Sequence, residues 1–332
     1  MNLAGQLDRH RLTSQLLANN PLGDPADRDL FVYRPPGYNE KQRYPTVMIL
    51  AGYGGTNHSL LNYEPFSPNL VERFDRQVAK GETQPALLVL PDAMNRYGGS
   101  QFLNSGASGS YQSYLADEVV DFVDANYSTL ADAPARAVVG RSSGGFGALR
   151  LGMDRPDRFS VIGSHAGDSA FELSIRPALV ETAIALDRAG GLFAFINAFL
   201  EKPQQHSFTA MMLVAYAAAY APTPGETSTF ALPFDPATGE LDPAVWSQFL
   251  AQDPLVKLEN DPGLLANASL VFLDAGDRDE HGLQFGARRM AERLQERGCH
   301  VLFEEFPGSH RGTGYRYERS LPLLVKACLN LK

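Results

Sequence analysis

One short run in this chain combines a nucleophilic side chain with the spacing that would expose it: Gly140-Arg141-Ser142-Ser143-Gly144. The residues before it, Ala137-Val138-Val139, read as a buried strand. Those after it, Gly145 to Met153, carry apolar residues at helical spacing. A strand that turns abruptly into a helix strains the residue between them, and flanking glycines let the two backbones pass. The free N–H groups of the helix start then face the serine oxygen and favour a developing negative charge. The chemistry this suits is attack on a carbonyl by Ser142. The alternative is a structural Gly-rich turn, from which three fixed positions alone do not distinguish it.

Such a serine needs a general base and an orienting acid at the ends of later strands, in the order Ser, acid, His. His310 lies in the loop just beyond the final apolar run, His300 to Phe306, where the base belongs. His165 follows the run ending at Ile162 and is a candidate substrate contact at the pocket edge. His281 reads as solvated, and His10, His58, His206 and His300 do not fit the base's position. For the acid, the loop after Leu270 to Leu273 offers Asp274, Asp277, Asp279 and Glu280. The pattern favours Asp277 or Asp279, because Asp274 is still close to the strand. No spacing here matches a metal-binding loop, so no metal is expected. Two backbone donors must receive the negative oxygen: Ser143, and Tyr53 or a neighbour in Ala51-Gly52-Tyr53-Gly54-Gly55.

These residues need a scaffold. Runs at Leu30 to Tyr33, Thr46 to Ala51, Ala86 to Leu90, Ala137 to Val139, Ser160 to Ile162, Leu270 to Leu273 and His300 to Phe306 read as strands, most of them buried on both faces. Helical patterns cover Leu60 to Val78, Tyr111 to Ala125, Gly145 to Met153 and Leu283 to Arg297. Strand alternating with helix predicts an α/β fold with a mostly parallel central sheet flanked by helices. The alternation breaks over 171–262. That block holds an Ala-, Phe- and Leu-rich stretch (Gly191 to Tyr220), a Pro-rich passage and a short helix around Trp246. It reads as a helical cap inserted between the sixth and seventh strands of one domain spanning 1–332, the alternative being a thicker helical layer on the sheet.

A formal net charge of −9 and the lack of basic clusters argue against nucleic acid and anionic membrane as partners. No stretch has the length of a membrane span, and the first residues lack a signal-like apolar run, so a cytoplasmic location is expected. Cys299 and Cys328 are expected as buried free thiols.

The segments PPGYNEKQRYPTVMILAGYGG, LPDAMNRYGGSQFLNSGASGSYQSYLADEVVDFVDANY, VVGRSSGGFGALRLGMDRPDRFSVIGSHAGD and FLDAGDRDEHGLQFGARRM resemble the esterase D-like, enterochelin-esterase-like family of α/β-hydrolases. Its relatives include S-formylglutathione hydrolases, feruloyl esterases and mycolyltransferases. The resemblance implies an α/β-hydrolase fold and a serine esterase. It places the acid at the end of a Gly-x-x-Asp pattern, here Gly276 to Asp279, which selects Asp279 over Asp277. It puts the first oxyanion donor at Tyr53, and it makes Gln101, Phe102 and Asn104, within Gly98 to Ser105, candidate substrate contacts. The implied reaction is hydrolysis of a small-molecule carboxylic ester through a Ser142-Asp279-His310 triad and an acyl-enzyme, with no cofactor. An acyltransferase using the same triad and a catalytically silent binding protein are the alternatives. Dimers are frequent among the relatives, which leaves a homodimer open.

Overall fold

The strands are β1 (Gln6–Thr13), β2 (Asp27–Arg34), β3 (Thr46–Leu50), β4 (Leu87–Pro91), a short hairpin of β5 (Asn104–Ser105) and β6 (Gly109–Ser110), then β7 (Arg136–Arg141), β8 (Val161–His165), β9 (Leu270–Gly276) and β10 (Val301–Phe306). This computed structural model describes residues 3–226 and 229–330. Met1, Asn2, Leu331 and Lys332, the ends of the expected 1–332 domain, lie outside the described residues, as do Thr227 and Ser228 of the Pro-rich passage. All strands but the hairpin form one sheet in the order β1-β2-β4-β3-β7-β8-β9-β10. The β1/β2 and β2/β4 pairs are antiparallel, and every other pair is parallel. Strands β3, β4, β8 and β9 are buried along their whole length, as their unbroken apolar runs require when helices cover both faces.

β1 escapes a hydrophobicity reading because it is charged. QLDRHRLT forms the sheet's edge, where charge discourages further pairing. Arg9 and Arg11 pair with Asp29, and Asp8 with Arg34, across β1 and β2.

The helices are α1 (Leu70–Ala79), α2 (Tyr111–Ser113), α3 (Val120–Asn126), α4 (Ser143–Asp154), α5 (Phe171–Ser174), α6 (Ala178–Ala189), α7 (Leu192–Glu201), α8 (Phe208–Tyr220), α9 (Pro243–Leu250), α10 (Pro254–Asn260), α11 (Leu283–Glu296) and α12 (Tyr317–Cys328). The helix expected from Leu60 starts only at Leu70. Pro65 and Pro68 interrupt the pattern, and Asn69 and Glu72 close a capping box there. α2 and α3 are joined by a π-helical segment, Tyr114–Val119. No single helix among the described residues is long and apolar enough to cross a membrane. Cys299 and Cys328 are buried free thiols.

Between β8 and β9, the sixth and seventh strands of the large sheet, come α5 to α10. α8 is buried from Ala210 onward apart from Met212, and its side chains share one apolar cluster with Phe146 of α4 and Leu103 beside the hairpin. Asp253 staples the two ends of this block. Its buried carboxylate accepts the N–H groups of Ala170 (3.0 Å), Phe171 (2.7 Å) and Leu255 (2.9 Å). Burial raises the pKa of Asp253 above the ordinary carboxylate value, against the pull of those three donors. Replacing Asp253 by Ala orphans all three N–H groups and is expected to cost about 3 kcal/mol of unfolding free energy. Urea denaturation of Asp253→Ala measures this, and a loss below about 1 kcal/mol would contradict the staple.

Candidate active site

The turn from β7 into α4 has no room to spare. A Cβ on Gly140 would lie 2.4 Å from the carbonyl carbon of Gly144, and one on Gly144 would lie 2.3 Å from the carbonyl oxygen of Leu50 in β3. With both positions held to glycine, Ser142 between them takes φ +58° and ψ −128°, a conformation L-residues rarely adopt. The Ser142 N–H donates to the His165 carbonyl (2.9 Å), which fastens the turn to β8. α4 starts at the next residue, so its dipole points at the serine. Gly52 lies against the other side, where a Cβ on it would come 3.5 Å from that of Ser142. Among the described residues, the backbone N–H groups of Tyr53 and Ser143 have no intramolecular acceptor.

His310 and Asp279 come together beside this turn. His310 Nδ1 lies 2.8 Å from Asp279 Oδ2, and Asp279 Oδ1 accepts the His281 N–H (2.9 Å). With its Nδ1 proton given to Asp279, the ring keeps Nε2 as an acceptor. Glu280 accepts the His310 N–H (2.9 Å), and Arg141, next to the serine, donates to the His310 carbonyl (2.8 Å). Burial opposes ionisation of Asp279, but the hydrogen bond and charge of His310 outweigh it and hold the carboxyl below the ordinary value. Asp277 turns away to the surface, where it accepts the Gly308 N–H (3.0 Å). The ring of His281 meets that of His310 edge-on, with centroids 4.8 Å apart. Its own pKa is lowered, first by burial and then by the neighbouring His310.

Three of the four expected substrate contacts do other work. His165 is the last residue of β8 and is buried, with Nδ1 2.7 Å from Asp274 and Nε2 2.8 Å from Ser320. Both ring nitrogens are occupied, so it cannot line a pocket edge. Arg316 completes that network by donating to Asp274 (2.8 Å). Asn104 is exposed, and its amide fixes the hairpin to Ser113 through both its oxygen and its nitrogen. Phe102 is buried flat against Gly147 of α4. Gln101 is fully buried and, together with Phe102, lines a small cavity beside Gly52, Tyr53 and Ser143.

Asp168 carries no motif that would single it out in the sequence, although it stands in the loop after β8, at the sheet end where the other site residues gather. Its buried carboxyl lies 3.4 Å from the Tyr216 hydroxyl of α8. Burial pushes it up to about 6, with His310 pulling the other way. An apolar-walled groove of about 640 Å³ opens beside Tyr53 and Gly54 and is also lined by Tyr97, Phe199, His206 and Phe208. A second, more polar cavity of about 450 Å³ is lined by Gly52 and Tyr53 of the same loop and by Arg73, Arg141 and Tyr315.

A family model described as "Putative esterase" matches residues 25–321. A bifunctional endo-1,4-beta-xylanase/feruloyl esterase of Xylanibacter ruminicola is 27% identical over 146 residues, 41% of this chain and 19% of that protein. An esterase of Mycobacterium tuberculosis is 27% identical over 166 residues, 48% of this chain and 34% of that protein. The chain thus matches only a fifth to a third of the length of these curated relatives. Among solved structures, an S-formylglutathione hydrolase from Agrobacterium tumefaciens superposes with a TM-score of 0.60 at 15% identity, covering 99% of this chain and 97% of the other. That likeness establishes the α/β-hydrolase fold.

The packing and charge of the site set two expectations for stability. Gly144→Ala drives a methyl into the β3 carbonyls and should lower unfolding free energy by about 3 kcal/mol; a thermal midpoint equal to the parent's would refute the close approach. Asp168 holds its proton more tightly folded than unfolded, where its value is near 3.8. The cost of ionising it in place is therefore absent below about pH 4, grows between about pH 4 and 6, and stays constant above. Asp168→Asn should thus gain more stability at pH 8 than at pH 4, by about 2–3 kcal/mol. Equal effects at the two pH values would show that burial does not set its titration.

Proposed function

The chain belongs to the esterase family, and we propose that it hydrolyses carboxylic esters with Ser142 as nucleophile, His310 as general base and Asp279 as the acid that orients the base. The observation that carries this reading is the strained Ser142 turn, set beside two backbone N–H groups that have no acceptor among the described residues and tied through Arg141 to the Asp279–His310 pair.

Ser142 Oγ bonds to the ester carbonyl carbon while its proton passes to His310 Nε2, and the carbonyl π pair moves onto oxygen. The N–H groups of Tyr53 and Ser143 receive that oxyanion, each worth about 3 kcal/mol to the transition state in comparable sites. The pair returns, the ester C–O bond breaks, and the alcohol leaves with the proton from His310. Water then repeats the sequence on the acyl-enzyme: His310 takes its proton, the hydroxyl adds to the carbonyl, and Ser142 leaves with that proton as the carboxylic acid is freed. Asp279, held ionised, keeps the ring in the tautomer that accepts at Nε2 and stabilises the imidazolium.

Residues 171–262 act in this reading as a cap on a single domain. The groove between the oxyanion loop and the α7–α8 junction has the size of a small-molecule site, and Tyr53, Tyr97, Phe199 and Phe208 suit an apolar or aromatic ester substituent. A feruloyl ester is one such substrate, in keeping with the naming of the Xylanibacter relative.

Ser142→Ala is expected to abolish hydrolysis of p-nitrophenyl and feruloyl esters and labelling by a fluorophosphonate, with the thermal midpoint unchanged. Asp279→Asn should reduce kcat about 10⁴-fold by releasing the wrong tautomer. Turnover of Ser142→Ala near the parent rate in a folded protein would overturn the assignment.

A further inference from the structure

Gln101 combines two unfavourable features, and both face the same small space. It and Phe102 are consecutive non-glycine residues in the left-handed region, at φ +53° and +56°. Such strain persists only where the surroundings enforce it, and it clusters at functional positions. The enforcement here is visible. Gly98, at φ +90°, and Gly99 lie against the Tyr53 side chain, where a Cβ on either would come within about 3.1 Å of a ring carbon and one on Gly98 within 2.8 Å of the hydroxyl. The Tyr53 hydroxyl donates to the Tyr97 carbonyl (2.7 Å), and the Gly54 N–H donates to that of Gly98 (2.8 Å). Phe102 clamps the other end onto α4 at Gly147. The side chain between these clamps is driven inward.

The second feature is an unmet hydrogen bond. Gln101 is fully buried, and its Nε2 has no partner among the described residues, an unfavourable condition for a polar group away from water. Its Oε1 faces the Tyr220 hydroxyl of α8 at 3.5 Å, which turns the amide so that the nitrogen points the other way. Gln101 also lines a cavity of about 10 Å³ whose other walls include Gly52, Tyr53, Gly99 and Ser143. That volume holds one water-sized group, or one oxygen of a bound ligand. Tyr53 and Ser143 are the residues whose backbone N–H groups have no acceptor among the described residues.

We propose that Gln101 is a third oxyanion donor, its Nε2–H hydrogen-bonding the ester carbonyl oxygen beside the N–H groups of Tyr53 and Ser143. The inference rests on the reading of Ser142 as the nucleophile. A side-chain amide fixed before substrate arrives is favourable because it needs no reorganisation as charge develops on that oxygen. Tyr220 acts as a positioning residue by fixing the amide's orientation, which links the segment between β8 and β9 to the reacting centre.

The test is steady-state hydrolysis of p-nitrophenyl acetate by the full-length chain carrying Gln101→Met, Gln101→Glu or Ser142→Ala, with a thermal midpoint for each. Gln101→Met should lower kcat by about 100-fold with KM changed less than about threefold. Gln101→Glu has nearly the same shape and keeps the inference testable if the Met substitution does not fold. It should be most impaired at high pH, where it sets a carboxylate against the oxyanion. Its rate relative to the parent should rise as pH falls and a protonated carboxyl restores a donor, a change that a purely packing role would not produce. Folded Gln101 variants with kcat within about threefold of the parent at every pH, alongside an inactive Ser142→Ala, overturn the third donor and leave the nucleophile standing. In that case Nε2 serves only an ordered water. An active Ser142→Ala overturns the nucleophile and the inference together.

Discussion

The approach of Gly144 to the carbonyls of Leu50 and Ala51 is the contact on which the site's geometry depends. α4 can start where it does only because no side chain stands between its first turn and the end of β3. That same approach leaves Ser142 in strained backbone and sets the start of α4 against the end of β3. One crossing therefore sets Ser142, which the proposed chemistry makes the nucleophile, together with one of its two proposed backbone donors and the place of the other. The parallel pairing of β3 with β7 and of β7 with β8 then fixes how far each strand runs before its loop begins. Distances across the site are inherited from sheet register and need little help from loop rigidity.

Carboxylates of one chemical type are separated into different states by what surrounds them. Asp279 is held ionised by His310 in spite of burial, whereas Asp168, equally buried but with a single weak partner, is pushed up to about 6. Asp274 is a third case, fully engaged by His165 and Arg316 behind the sheet end. Proximity to a histidine therefore does not by itself single out Asp279 as the acid of the proposed triad, because Asp274 and His165 form as short a pair as Asp279 and His310. What differs is the second ring nitrogen. In His165 it is taken by Ser320, while in His310 it has no hydrogen-bond partner among the described residues.

The parallel strands were legible because burial on both faces leaves an unbroken apolar run, and the glycines around Ser142 were legible because only glycine tolerates that crossing. The choice between Asp277 and Asp279 was not readable from pattern. Both lie in one loop, and what divides them is that the Asp277 N–H still continues the strand ladder to Phe306 before the chain turns inward. The preference for Asp279 came from the family resemblance, and the proposed chemistry rests on its pairing with His310. His165 was misplaced for a related reason: β8 runs on to include it, and strand register sets it opposite Asp274 and not in a loop. β1, the late start of α1 and the role of α8 depend on edge pairing, on prolines and on tertiary burial, none of which hydrophobic periodicity records.

The segment between β8 and β9 could be taken for an attachment, exchangeable without touching the chemistry, and the packing here argues otherwise. α8 sends Tyr216 to Asp168 and Tyr220 to Gln101, with the two rings stacked 5.5 Å apart and Phe171 stacked on Tyr220. Phe146, four residues after the nucleophile, closes the same aromatic cluster. Asp253 ties the two ends of the segment to each other. A change in α8 therefore acts on Asp168 and Gln101 as well as on the groove that Phe208 lines. Under the proposed esterase chemistry, substrate selection and charge stabilisation are then two properties of one helix, and sequence change that retunes the groove is constrained by the tyrosines that face the reacting centre.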